Sequence, residues 1–123
     1  MNETKQMNAI KLDVAYDLKY PEGSEAPANI NKAYAELSRD YIEYAVTSHY
    51  KEGLSSQWRR VYAKIQNKIA DAIKSESNFT IELSDVELSF IKMSFGSEKT
   101  KFGATLARYV VVLEDEIFGS SNK

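Results

Sequence analysis

Residues 10–20, IKLDVAYDLKY, set Ile10, Leu12, Val14, Tyr16, Leu18 and Tyr20 against Lys11, Asp13, Ala15, Asp17 and Lys19. This is the period-2 alternation of a half-buried strand. A second alternation, NFTIEL at 78–83, places Phe79, Ile81 and Leu83 opposite Thr80 and Glu82 and predicts the partner strand. Between the two, the period changes to that of a helix. Ile30, Tyr34, Leu37, Tyr41, Tyr44 and Ala45 recur three and four residues apart, from a start near Pro27–Asn29 to a stop at Gly53. Ser55 or Ser56 then caps a second helix with the stripe Trp58, Val61, Tyr62, Ile65, Ile69, Ala72 and Ile73. The short connection around Gly53 predicts an antiparallel helical hairpin.

Ser84-Asp85-Val86-Glu87 has the form of a capping box and predicts a helix over 85–95 with Leu88, Ile91 and Phe95 inward. The alternation of Val86, Leu88 and Phe90 would also suit a strand. Beyond the polar turn GSEKTKFG (96–103), Phe102, Leu106, Tyr109, Val110, Leu113 and Ile117 share one helical face. That match outweighs the strand propensity of the β-branched run within YVVVL. The order is β-α-α-β-α-α, an α+β domain with helical hairpins packed on a small antiparallel sheet. At 123 residues it forms a single domain, 1–123, with frayed termini at 1–8 and 119–123. The segment PEGSEAP at 21–27 holds both prolines and reads as a loop. One mismatch stands out: the first strand run is eleven residues long and its partner six. The excess predicts either a hairpin turning near Ala15 or a surface for association by strand addition.

Composition narrows the chemistry. A hydrophobic fraction of 43% and a charged fraction of 28% are those of a folded domain. The absence of cysteine excludes disulfides, thiolate metal sites and thiol nucleophiles. His49 is the single histidine, so one chain cannot supply a two-His metal site. No segment approaches the ~20 apolar residues of a membrane span, and MNETKQMN at 1–8 holds no apolar run, so no signal peptide is expected. The expectation is a soluble, cytoplasmic protein without a membrane partner. The net charge of −2 disfavours bulk attraction to nucleic acid. Locally, residues 54–78 set Arg59, Arg60, Lys64, Lys68 and Lys74 against Asp71 and Glu76.

That basic face could meet a phosphate backbone or an acidic protein patch; an ordinary solvated helix face is the competing reading. Tyr34, Tyr41, Tyr44 and Tyr50 crowd the first helix, and tyrosine is enriched at interfaces. Glu36, Asp40 and Glu43 form a ridge, but Lys32 and Arg39 lie within ion-pairing distance of it, as on a solvated face. Asp13 and Asp17, ~13 Å apart along a strand, are too distant for one ion. Glu114-Asp115-Glu116 ends a helix where the macrodipole disfavours acid, an arrangement that suits a basic partner. A helix-turn-helix over 84–118 would put this acidic run toward phosphate and is rejected. Ser48-His49-Tyr50-Lys51 lacks the motifs that accompany a catalytic S-x-x-K.

The expected function is therefore a non-enzymatic protein-interaction module, a small accessory, inhibitory or assembly factor that binds a protein partner or itself as a homodimer. Its candidate interface residues are Lys11, Asp13, Asp17, Tyr44, Tyr50, Glu114, Asp115 and Glu116, with no catalytic residue, metal or cofactor. The alternative is weak nucleic-acid binding through Arg59, Arg60, Lys64, Lys68 and Lys74. In general profile (short, mildly acidic, free of cysteine) the chain is similar to many phage and mobile-element accessory proteins.

Overall fold

A computed structural model describes residues 7–15, 30–76 and 79–119. Strand β1 (Asn8–Lys11) is followed by helices α1 (Ile30–His49) and α2 (Ser56–Ser75), strand β2 (Thr80–Leu83) and helix α3 (Asp85–Phe95). A 3-10 turn (Ala104–Leu106) leads into helix α4 (Ala107–Gly119). This is the expected β-α-α-β-α-α order. The strands pair antiparallel, with Asn8 opposite Leu83, Ile10 opposite Ile81 and Lys11 opposite Thr80. Ile10, Ile81 and Leu83 face the core, while Ala9 and Glu82 face outward. α1 stops at His49, short of the expected stop at Gly53, and Gly53 turns the α1–α2 connection at φ 101°, in the left-handed region that favours glycine.

The strand anticipated over 10–20 is corrected at both ends. Pairing begins at Asn8, whose side chain donates to the Leu83 carbonyl at 3.1 Å and to Asp85 at 3.0 Å. Asn8 is thus held, not frayed. The strand stops at Lys11, and residues 12–15 form a turn that buries Leu12, Asp13 and Ala15 together. Contacts distant in sequence make that turn. Ser38 of α1 donates to the Leu12 carbonyl, and Asn31 donates to the Asp13 carboxylate at 2.8 Å. Once the backbone turns, alternate residues no longer point to alternate faces, so the pattern through Ala15 carries no strand. Residues 16–20, the loop 21–27 and the expected helix start at 27–29 lie outside the described residues.

Helix α3 settles the ambiguity at 84–95. Ser84 Oγ accepts from the Glu87 N–H at 3.2 Å, and Glu87 Oε1 accepts from the Ser84 N–H at 2.9 Å. The capping box is complete. Val86 is 54% exposed, whereas Phe90 is fully buried and belongs with Leu88, Ile91 and Phe95 at the centre of the core. Around Phe90, Tyr50 and Trp58 stack at 5.3 and 5.4 Å between ring centroids, and Tyr62 lies tilted at 5.7 Å. Phe90 was not among the residues expected inward. The last helix is also shorter than expected. Phe102 precedes it, Leu106 lies in the 3-10 turn and is exposed, and Val110, Leu113 and Ile117 form its buried stripe.

Both outer edges of the two-stranded ribbon are met by helix side chains. The Lys11 N–H, which points away from β2, donates to Glu116 Oε2 of α4 at 2.8 Å. On the other edge the Glu82 carbonyl accepts from Lys68 Nζ of α2 at 2.8 Å. The same ammonium reaches Glu87 Oε1 at 2.6 Å. Burial pushes the Glu87 carboxyl up, but Lys68 and the Ser84 N–H outweigh it and hold the group below the usual carboxylate range.

Three predictions follow from this packing. Phe90→Ala should cost ~3–5 kcal/mol in urea unfolding, the range for losing a buried phenylalanine. Lys68→Met should cost ~1–3 kcal/mol by leaving the buried Glu87 carboxylate without its cation, while Arg60→Ala stays within ~0.5 kcal/mol. Because the folded pKa of Glu87 is lowered, its contribution is present above the ordinary carboxylate range. That contribution is lost as pH falls through the folded value. Glu87→Gln should therefore flatten the acid limb of stability against pH.

Candidate functional site

The anticipated basic face is divided by the fold. Lys68 is tied to Glu87 and the ribbon edge, and Arg59 Nη1 donates to the Leu54 carbonyl at 2.7 Å. Lys74 lies around the helix, on the side that faces α1. Arg60 and Lys64 remain exposed on the outer side of α2. At ~100° per residue the five cations spread over about half the circumference of α2, with Arg59 ~180° and Lys74 ~120° from Lys68.

Between α1 and α2 runs a groove of ≈ 420 Å³ floored by Ile42, Tyr62, Ile69 and Ile73. Lys32, Glu36, Arg39, Glu43 and Lys74 stand at its rim. Two members of the acidic ridge, Glu36 and Glu43, therefore border an apolar floor, while Asp40 pairs with Arg39 at 3.1 Å. Lys32 is bound to Glu76 at 3.0 Å, joining the start of α1 to the end of α2. Burial, with Glu43 nearby, pushes the Tyr62 phenol up to about 12, against an opposing hydrogen bond from Gln66. Among the described residues no three His, Asp or Glu side chains are grouped to hold a metal ion.

The tyrosines separate into two roles. Tyr50 is half-buried and stacked on Phe90, so its ring belongs to the core. Tyr44 is 47% exposed and donates its hydroxyl to the Lys101 carbonyl at 2.7 Å. Its ring packs on Phe102 at 4.9 Å, and Tyr41 meets Phe102 edge-on at 5.6 Å. Together with Gly103 and Leu106 they line a shallow concavity of ≈ 280 Å³ whose walls are almost wholly apolar. Thr100 anchors the loop beneath it, donating to the Ser94 carbonyl at 2.7 Å. Lys99 and Lys101 are exposed on this loop. The concavity was not expected from the sequence, where Phe102 had been placed on a helix and Leu106 in its buried stripe. The available signal was Phe102-Gly103, an aromatic beside a glycine in a polar turn.

The remaining candidates are dispersed. Asp13 is buried and bonded to Asn31, and Asp17 lies outside the described residues. Lys11 and Glu116 meet each other at the ribbon edge. Glu114 is half-buried; burial and the adjacent Asp115 raise its carboxyl above the ordinary range. Asp115 is exposed. His49 ends α1 edge-on to Tyr50 at 4.4 Å, with Nδ1 buried and lacking a hydrogen-bond partner among the described residues. No helix among those residues is long and apolar enough to cross a membrane.

No protein-family model, no curated protein and no solved structure matches this chain. Function has to be argued from the surfaces themselves.

The position of Tyr62 can be checked by titration. Its phenol should ionise well above the ordinary tyrosine range, later than the exposed tyrosines, as followed by phenolate absorbance. Since the folded pKa is raised, unfolding is favoured between the ordinary value near 10 and the folded value of about 12. Tyr62→Phe should remove that part of the alkaline loss of stability.

Proposed function

We propose that this chain is a non-enzymatic protein-interaction module, an accessory or inhibitory factor of the phage or mobile-element kind. It takes an apolar side chain of a protein partner into the concavity formed by Tyr41, Tyr44, Phe102 and Leu106. The observation that carries this reading is the exposure of apolar surface in a concave setting. Tyr44 and Leu106 remain 47% and 37% exposed, yet the Tyr44 hydroxyl is fixed to the loop that forms the opposite wall. A pre-formed apolar hollow suits an anchor side chain, which buries area without reordering the receptor.

The surrounding charge indicates the partner's chemistry. Lys99 and Lys101 border the loop with Glu98 as its one acid, so an anchor flanked by carboxylates is complementary. Nucleic-acid binding through α2 has weaker support, because Lys68 and Arg59 are occupied by contacts within the chain. A stoichiometric partner should be recovered with the unaltered protein and lost with Leu106→Asp, yet retained with Arg60→Ala/Lys64→Ala. Undiminished recovery with Leu106→Asp would overturn the proposal. So would low-salt binding to DNA or RNA that depends on Arg60 and Lys64.

A further inference from the structure

The inner face of α4 is occupied by the core through Val110, Leu113 and Ile117. Its outer face has a different pattern. Val111 is 48% exposed at the middle of the helix, and Ala107 and Ala104 are exposed about one and two turns before it. Arg108 and Asp115, both exposed, lie on either side of Val111 along the axis. At ~100° per residue they fall on the same flank of the line through Val111. Along the axis they stand ~4.5 Å before it and ~6 Å after it. The face thus has a basic half and an acidic half on either side of exposed Val111, with Phe118, 37% exposed, on the same line near the acidic end.

We propose that this face binds the same face of a second copy of the chain, antiparallel, with Val111 packed on its counterpart at a two-fold axis. A two-fold axis normal to two antiparallel helices keeps each flank facing its own equivalent. Arg108 of each copy therefore meets Asp115 of the other, and two equivalent ion pairs form. Ala104 and Ala107, small and exposed, let the helices approach closely. The arrangement also supplies an adjacent cation to an end of α4 that is otherwise unfavourable: Glu114 and Asp115 crowd each other where the macrodipole already disfavours negative charge. A parallel pairing would put the charged flanks on opposite sides, with each residue level with its own equivalent, and neither ion pair would form. A partner of one sign would satisfy half the face and oppose the other. Self-pairing is the arrangement that satisfies both halves.

The contact is small. A 13-residue helix offers one narrow stripe ~20 Å long. That falls short of the ~800 Å² per partner of a tight interface, so the dimer is weak and concentration-dependent. It does not use the concavity of Tyr44 and Leu106, so the two proposals stand or fall separately.

Sedimentation velocity from about 10 µM to about 1 mM should show a monomer–dimer equilibrium that weakens with added salt. Arg108→Asp and Asp115→Arg, each alone, should raise the dissociation constant on the order of tenfold or more, since each sets like charges together twice. The double variant Arg108→Asp/Asp115→Arg should restore dimerisation. An equimolar mixture of the two single variants should form a heterodimer, because each supplies the charge the other lacks. Circular dichroism of every variant confirms folding, so loss of the dimer is not mistaken for loss of the helix. A monomer throughout the concentration range overturns the proposal. So does a dimer indifferent to the single reversals, or one that the double variant and the mixture fail to restore.

Discussion

Two antiparallel strands of four residues cannot hold together alone in water: they have one apolar face to cover and two bare backbone edges. The whole arrangement answers that constraint. Ile10, Ile81 and Leu83 turn the apolar face to the helices, and the Phe90 cluster fixes α1, α2 and α3 against one another. The edges are met differently. Glu116 brings a carboxylate to the Lys11 N–H, and Lys68 brings an ammonium to the Glu82 carbonyl. Each is a charge-assisted bond to a backbone group, stronger than one between neutral groups. Strand addition at Lys11 or Glu82 would first have to displace one of them, which weakens the support for the strand-addition surface expected from the sequence.

Lys68 links several of these elements. Its ammonium joins α2 to β2 and to the capping box of α3, so one side chain fixes three consecutive elements. Glu87 is 7% exposed in its side chain and accepts from both Lys68 and Ser84. The residue that starts α3 is therefore the residue that holds α3 onto α2. The spacing of surface charges on α2 is blind to this, because the partner lies nineteen residues further along the chain.

The contrast shows which parts of the fold were legible. Elements with local signals were readable: the stripe of α2, the capping box at Ser84, the turn at Gly53 and the alternation at 80–83. What was missed depends on contacts between segments distant in sequence. The turn at Leu12–Ala15 is made by Ser38 and Asn31, which no pattern within 10–20 can reveal. Phe90 escaped because periodicity assigns a helix one buried stripe. α3 is central, and Glu87, Leu88, Phe90, Ile91, Ser94 and Phe95 bury a much wider arc. The concavity at Tyr44 was hidden for the opposite reason. Phe102 and Leu106 satisfy a helical spacing, yet the chain enters α4 through a 3-10 turn that leaves them beside α1.

These contacts also account for which polar groups remain available. Acidic and basic residues at the ribbon, Glu116 and Lys68, are engaged by backbone, and Asp13 is enclosed with Asn31. The first turn of α4 and its loop, by contrast, face solvent from Lys99 to Arg108, apart from half-buried Thr100 and Phe102. α4 itself is anchored by Val110, Leu113 and Ile117 inward and by Glu116 across to β1. Anchorage along that side orders the helix while Val111 on the opposite side stays exposed. Rigidity matters there, because a docking face that is already ordered loses little conformational entropy on binding. The same burial that stabilises α4 thus pre-organises its outer surface. The charges on that surface are Arg108, whose guanidinium lies 5.5 Å from the Tyr109 ring centroid, and Asp115, which crowds Glu114.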